Sequence, residues 1–147
     1  MVPFLPVLRR LTHGLTLGVR TIVISPAREV LLVRHSYAAG WHFPGGGVDA
    51  GESAEAAGRR ELQEEANVTV TGAMLLHGVF FNARFGRRDH VVCYRVPLFT
   101  CGPAPAPNRE IRAVTFFPLD ALPDDLSPGT ARRLRELRGE TELSELW

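Results

Sequence analysis

The chain has 147 residues, of which 45% are hydrophobic and 22% are charged, and this is the size and composition of one ordinary domain. Its 17 basic and 16 acidic residues leave a formal net charge of +1, which argues against a global basic surface for nucleic acid and against acidic disorder. The two cysteines, Cys93 and Cys101, are too few for a disulfide framework. No apolar run approaches the roughly 20 residues that span a bilayer. We therefore expect a cytoplasmic protein with no membrane association and no stable nucleic-acid partner.

Hydrophobic periodicity predicts a mixed α/β chain that forms a single domain over 1–147, with no internal repeat and no dividing linker. Residues 1–17 are expected to form an amino-terminal arm or a short helix, and residues 127–138 a carboxy-terminal helix. Turn-forming residues separate the elements in between. Strands are predicted, in chain order, over 19–24, 29–34, 68–82 with a break near Gly72 or Gly78, 90–100 and 112–117, and loops over 35–52 and 102–108.

A helix is predicted over 53–66, where the composition changes to Ala, Glu, Arg, Leu and Gln. Ser53 is its predicted N-cap, and Asn67 is a predicted left-handed residue just past its end. Gly58 lies inside this helix at a cost of about 1 kcal/mol relative to alanine. Close packing of the helix on the sheet would explain that glycine.

Three glutamates on this helix indicate a metal site. Glu61, Glu64 and Glu65 are spaced i, i+3, i+4, so their carboxylates project from one side of the helix. Carboxylate oxygens favour a hard divalent cation, Mg²⁺ or Mn²⁺, over zinc or copper. Mg²⁺ usually completes its coordination with water and substrate phosphates. The spacing therefore predicts a phosphorylated substrate, although a solvated, charge-rich helix is the simpler interpretation of three glutamates alone.

The residues around these glutamates fit the same chemistry. Arg60 lies four positions before Glu64, so it can reach that carboxylate or the preceding loop and orient a metal ligand. Gly45 and Gly46 belong to a glycine-rich loop that lets the backbone come close to a metal and its phosphates. Glu52 precedes the helix, where a carboxylate first serves to stabilise the helix start.

The stretch GGVDAGESAEAAGRRELQEEANV, residues 46–68, resembles the Nudix box. It has a glycine, five residues, a glutamate, seven residues and then Arg-Glu-Leu-x-Glu-Glu-x-x-Val. Preceding it, WHFPGGG is similar to the family's usual entry, and EIRAVTFFPLDALP resembles a late strand and turn of many relatives. One position departs from the pattern, because Asn67 replaces a glycine, and asparagine also tolerates a left-handed conformation.

The resemblance implies an α/β/α sandwich around a mixed β-sheet and a Mg²⁺-dependent hydrolase, with Mn²⁺ as a substitute, that cleaves a nucleoside diphosphate linked to another group. Relatives imply that Glu61, Glu64 and Glu65 bind metal together with the carbonyl of Gly45. Water would attack one phosphorus of the pyrophosphate bridge while the metals neutralise charge. The general base is either a glutamate of the box or Glu110, which follows the proline-rich loop. A surface acid at a strand start explains Glu110 equally well.

The residues that would bind the rest of the substrate are less specific. Trp41 is a candidate base-stacking group or a core residue, and Arg34 either faces the phosphates or forms a cross-strand ion pair. Arg87 and Arg88 are candidates for a distal phosphate, against the simpler interpretation of a solvated loop. Gly46 would lie against the substrate through its backbone.

The resemblance leaves two other functions on the same fold. The first is a catalytically weak Nudix-fold sensor that binds a nucleotide without cleaving it. Such proteins commonly lose box glutamates, and this chain keeps them all. The second is a diphosphate isomerase, which would need a catalytic cysteine and extra histidine ligands, and the setting of Cys93 and Cys101 fits that poorly. We therefore predict a hydrolase with a nucleotide-type small-molecule substrate, and the sequence leaves a homodimer open.

Overall fold

A computed structural model describes residues 13–147, so most of the predicted amino-terminal arm over 1–17 lies outside the described residues. Within them the last two residues of that arm, Thr16 and Leu17, are extended, because they belong to the first strand. The elements with both ends inside the described part are β1 (Thr16–Val23), β2 (Glu29–His35), β3 (Gly45–Gly47), α1 (Ala54–Ala66), β4 (Val68–Val70), β5 (Leu75–Phe81), β6 (Asp89–Val96), β7 (Phe99–Cys101), β8 (Ile111–Pro118) and α2 (Pro128–Leu137).

The strands form a four-stranded sheet in the order β3-β1-β6-β5 and two separate pairs, β2 with β8 and β4 with β7. Within the large sheet β1 runs parallel to β6 and antiparallel to β3, while β5 runs antiparallel to β6. The sheet is therefore mixed, as predicted. Central β1 is buried along its second half, which matches a run of apolar residues that ends in Ile22 and Val23.

The two helices contribute to different parts of the core. Leu62 of α1 packs into one cluster of buried residues with Leu31 and Val96, and Leu134 of α2 packs into another with Leu32 and Phe80. The neighbouring residues Leu31 and Leu32 of β2 thus serve opposite clusters, because successive strand side chains point to opposite faces. The predicted α/β architecture is confirmed.

Helix α1 starts and ends as its sequence predicts. The Ser53 hydroxyl accepts a hydrogen bond from the Ala56 amide at 3.0 Å, and Asn67 ends the helix with φ 51° and ψ 40°. Gly58 faces the sheet, where an added Cβ would lie 3.1–3.3 Å from methyl groups of Met74, Thr21 and Val19. This glycine therefore brings α1 close to β1, as predicted.

Local differences from the prediction follow from strand pairing. The glycine stretch predicted as loop contains β3, since Gly45–Gly47 pairs with Arg20, Val19 and Gly18 of β1. The break predicted in the strand over 68–82 lies near Gly72, between β4 and β5, and β5 carries a register irregularity between Leu76 and Gly78. Neither helix with both ends in residues 13–147 has the length and apolar content needed to cross a membrane.

Candidate active site

The three glutamates of α1 lie on one side of the helix but differ in burial. The side chains of Glu61, Glu64 and Glu65 are 14%, 59% and 6% exposed, respectively. The helix packs against β1 and β3, and its rotation places Glu65 against the sheet, Glu61 at the boundary and Glu64 towards solvent. The carboxylates therefore form a gradient from the protein interior to its surface.

The buried Glu65 is held at both carboxylate oxygens. One oxygen lies 2.7 Å from Nε2 of His35, at the end of β2, and the other accepts a hydrogen bond from the Gly45 amide at 3.0 Å. His35 is 2% exposed, and its Nδ1 has no hydrogen-bond partner within residues 13–147. A buried carboxylate with both oxygens engaged is confined to one rotamer, so β2 and β3 together orient Glu65.

Glu61 packs directly on the backbone of β3. A Cβ built on Gly46 would lie 2.5 Å from Oε1 of Glu61, so only a glycine leaves room for this carboxylate. Partial burial raises the pKa of Glu61, and the nearby charge of Glu65 raises it further, while Arg60 opposes both effects. Two carboxylates that disfavour each other's charge are typical of a site that binds a cation.

Arg60 links the box loop to the helix. Its guanidinium donates to Glu52 at 2.7 and 3.2 Å, to Glu61 at 3.0 Å, to Glu64 at 3.3 Å and to the Gly47 carbonyl at 3.2 Å. The hydrogen bond from Arg60 lowers the pKa of Glu52. Glu52 also accepts from the Asp49 amide at 2.9 Å, so it closes the loop as a structural residue. Arg60 thus contacts both Glu64 and the preceding loop, the two groups that its position in the sequence places within reach.

The donor set fits a hard divalent cation in its chemistry. The three carboxylates of Glu61, Glu64 and Glu65 lie on one side of α1, and the Gly45 amide contacts Glu65. All donors of this set, with the Gly45 carbonyl that relatives imply, are oxygen atoms. Among residues 13–147 no three acid, histidine or cysteine side chains already converge as a preformed metal cage. The cationic Arg60 lies between Glu61 and Glu64 instead, and a bound ion would have to draw both carboxylates away from it.

The Gly45 carbonyl is oriented by a second arginine. Gly45 has φ +152°, and an added Cβ would lie 1.9 Å from the Val19 carbonyl oxygen, so no other residue fits here. Arg20 of β1 donates to the carbonyl of Phe43 at 2.9 Å and to that of Gly45 at 3.4 Å. Arg20 therefore holds the turn that presents the Gly45 backbone to Glu65.

Glu110 lies next to the loop that follows His35, the residue that contacts Glu65, although Glu110 is 45 positions after Glu65 in the sequence. Its backbone carbonyl accepts a hydrogen bond from the Ser36 amide at 2.8 Å, which joins it to the loop after β2. Partial burial raises the pKa of Tyr37 in that loop, Arg20 opposes the rise, and the carboxylates of Glu65, Glu61 and Glu110 add to it. The phenol of Tyr37 thus lies within the electric field of all three acids.

Arg34 and Trp41 contact each other at the edge of this region. The guanidinium of Arg34 pairs with Asp125 at 2.5 Å and lies 4.8 Å from the centre of the Trp41 ring. Trp41 also meets Phe117 edge to face at 4.8 Å and borders a core cluster. Arg34 therefore forms an ion pair, but its partner lies in the loop before α2 and not on a neighbouring strand. Trp41 packs at the border of the core.

Arg87 and Arg88 lie further from the glutamates. They occupy the turn before β6, where the Arg88 carbonyl accepts a hydrogen bond from the Thr16 amide at 2.8 Å. Thr16 is three residues along β1 from Val19, which pairs with Gly46 beside Glu61, and three residues of strand span about 10 Å. Arg87 or Arg88 could contact a substrate bound at the glutamates only if that substrate extended along β1 by about this distance.

Sequence reasoning missed four residues of this region: His35, Arg20, Tyr37 and Arg112. No motif marks them, because each lies on a strand or loop outside the box and is brought to this region only by the fold. His35 precedes Glu65 by 30 positions. The sequence held one signal for His35: it is a polar residue at the end of a predicted strand, directly before the loop that leads to the glycines.

Comparison with known proteins agrees with this geometry. The NUDIX domain family matches residues 14–143. Over 123 residues the chain is 29% identical to a Bacillus subtilis (strain 168) protein provisionally named 8-oxo-dGTP diphosphatase, covering 84% of this chain and 80% of that protein. A 29-residue segment, 17% of an RNA pyrophosphohydrolase of Caulobacter vibrioides (strain NA1000 / CB15N), is 66% identical.

Solved structures share the fold. The crystal structure of a MutT NUDIX hydrolase from Burkholderia pseudomallei aligns with a TM-score of 0.72 at 26% identity, over 83% of this chain and 97% of that one. The MutT protein of Methanosarcina mazei Go1 aligns with a TM-score of 0.69 at 20% identity, over 86% and 96% of the two chains. The predicted Nudix fold and the predicted hydrolase family are confirmed. With Glu61 and Glu65 of its box packed against the glycine strand, this chain belongs to the Nudix family.

Proposed function

We propose that this chain is a Mg²⁺-dependent pyrophosphohydrolase, with Mn²⁺ as a substitute, that cleaves a nucleoside diphosphate linked to another group by water attack on phosphorus. One observation carries the proposal: Glu61 and Glu65 are packed against a glycine strand that leaves space only for their carboxylates and a backbone. Such an assembly of acids costs repulsion and desolvation in the absence of a cation, so it favours a site for one.

Glu61, Glu64, Glu65 and the Gly45 carbonyl would hold the ions. When bound, the ions supply charge neutralisation at the phosphates and a more acidic water. The protein itself contributes orientation. His35 and the Gly45 amide keep Glu65 in one rotamer, and Arg60 ties Glu61 and Glu64 to the box loop until the ions compete for them.

Glu110 is our proposed general base, with a box glutamate as the alternative. Its side chain makes no hydrogen bond to any other part of residues 13–147, whereas Glu61 and Glu65 are engaged by neighbours. The Glu110 backbone is fixed to the loop after β2, so its carboxylate can accept a proton beside the glutamates of α1. Glu110→Gln should then lower kcat more than Glu142→Gln, which changes an exposed glutamate near the carboxy terminus.

The reaction is tested by release of phosphate or pyrophosphate with Mg²⁺ or Mn²⁺. The substrates would be nucleoside triphosphates, oxidised triphosphates, nucleotide sugars, ADP-ribose and dinucleoside polyphosphates. Glu64→Gln should reduce turnover at least a hundredfold without changing the melting temperature, because Glu64 is largely exposed. Glu142→Gln is the matched control. Metal-dependent binding with no turnover of any compound would contradict the proposal and favour a nucleotide sensor.

Three further predictions from the sequence accompany this proposal. We propose that the protein acts in the cytoplasm, that it has no stable nucleic-acid partner and that it can form a homodimer. Cell fractionation tests the first, an electrophoretic shift with RNA and DNA tests the second, and sedimentation equilibrium tests the third.

A further inference from the structure

A β-bulge places an arginine beside the candidate active site. In the pair of β2 and β8, Arg34 lies opposite Ala113, but the next residue, His35, lies opposite Ile111. Arg112 is therefore the extra residue of β8, without a partner on β2. Bulges of this kind change the direction of a side chain and are frequent next to active sites.

Arg112 lines a cavity of about 360 Å³ together with residues 34–39. This volume lies within the range of small-ligand pockets. His35 forms part of the wall and also lies 2.7 Å from Glu65, so the cavity adjoins the glutamates through one side chain. The Tyr37 ring stacks on His35 at 5.0 Å between centroids. The cavity and Glu65 thus lie on two sides of the same His35 side chain.

The other arginines near the glutamates already have partners. Arg60 is bound to Glu52 and Glu61, Arg20 to backbone carbonyls, and Arg34 to Asp125. Within residues 13–147, by contrast, no side chain or carbonyl forms a hydrogen bond or ion pair with the Arg112 guanidinium. Arg112 is exposed where it lines the cavity. Its unpaired guanidinium presents five N–H donors in a fork that suits a phosphate group.

We propose that Arg112 binds a phosphate group of the substrate outside the pyrophosphate bridge that is cleaved. The chain then prefers a nucleoside triphosphate to a nucleoside diphosphate joined to an uncharged group. This inference rests on the proposed function, because it places the cleaved bridge at Glu61, Glu64 and Glu65. Arg34 also lines the cavity, although its guanidinium is paired with Asp125.

The test measures binding separately from turnover. Calorimetry with Mg²⁺ would compare methylene-bridged analogues of GTP and GDP, which differ by one phosphate group and resist hydrolysis. Arg112→Ala should weaken the triphosphate analogue about tenfold, the loss of one hydrogen bond to a charged group, and leave the diphosphate analogue within about twofold. Arg112→Lys should show a smaller loss, since lysine keeps the charge without the fork. Arg95→Ala, at an exposed position of β6, should change neither affinity.

Four results would overturn the inference. These are an equal loss for both analogues, no loss for either, the same selective loss in Arg95→Ala, and no binding of the triphosphate analogue to the wild type. Failure of the proposed function looks different, because it is an absence of metal-dependent turnover in the substrate series. If Arg112→Ala loses affinity only for the triphosphate analogue but the wild type turns over no substrate, the phosphate site stands and the proposed hydrolase activity is wrong. If the wild type turns over substrate but Arg112→Ala shows no selective loss of affinity, the hydrolase activity stands and the phosphate site is wrong.

Discussion

Gly46→Ala should inactivate the enzyme without unfolding it. The added Cβ would lie 2.5 Å from Oε1 and 2.9 Å from Cδ of Glu61. Because ordinary contacts of this kind are about 3.4 Å or longer, the carboxylate must move by about 1 Å. Glu61 ends a flexible side chain, so the movement is easy, but it disturbs the 3.0 Å hydrogen bond from Arg60.

A displacement of about 1 Å in a reacting site costs on the order of 100-fold in rate. We therefore expect kcat/KM of Gly46→Ala to fall about 100-fold with the best substrate of the series. The melting temperature should change little or rise slightly, because alanine reduces the conformational entropy of the unfolded chain by about 0.4–1 kcal/mol where the backbone accepts it. Gly46 lies outside the left-handed region, so its backbone does accept alanine.

Gly47→Ala is the matched control. It adds the same methyl group one residue further along β3, where no atom lies within 4 Å of the new Cβ. Its kcat/KM should stay within about twofold of the wild type. The reasoning is refuted if Gly46→Ala keeps more than half of wild-type activity, or if Gly47→Ala loses as much as Gly46→Ala does.

Three further predictions concern stability and reactivity. Gly58→Ala should destabilise the fold by about 1 kcal/mol in urea unfolding, because crowding against three methyl groups at 3.1–3.3 Å exceeds the gain in helix propensity. A urea midpoint higher than that of the wild type would contradict the close packing of Gly58. Burial and the charge of Arg20 lower the pKa of His42 from 6.5 to about 4, so between pH 6.5 and 4 the unfolded state takes up a proton that the folded state does not. Stability should fall by about 1 kcal/mol over that range after allowance for partial exposure, and His42→Gln should remove this part of the acid dependence. Burial raises the pKa of Cys93 to about 12, whereas Cys101 is exposed. A thiol reagent should therefore label one cysteine in the native protein and two in denaturant. Cys101→Ser should abolish labelling of the native protein.

Much of the helix that carries the box could be predicted from its own residues. The Ser53 cap, the left-handed Asn67 and the common side of the three glutamates depend on neighbours within four positions along the chain. Helical periodicity and cap chemistry act over that distance, so a single sequence contains the information. The contact of Arg60 with Glu64 is of the same local type.

The long-range contacts around the site were decided by the tertiary structure. Glu65 meets His35 across 30 positions, Arg34 meets Asp125 across 91, and both contacts depend on where β2 lies in the fold. The bulge at Arg112 is a property of strand register, which a pattern of residues within one strand does not specify. The sequence by itself thus determined the family and the acid-bearing helix, whereas the strands that orient each carboxylate and form the adjoining cavity became visible only once distant segments were packed together.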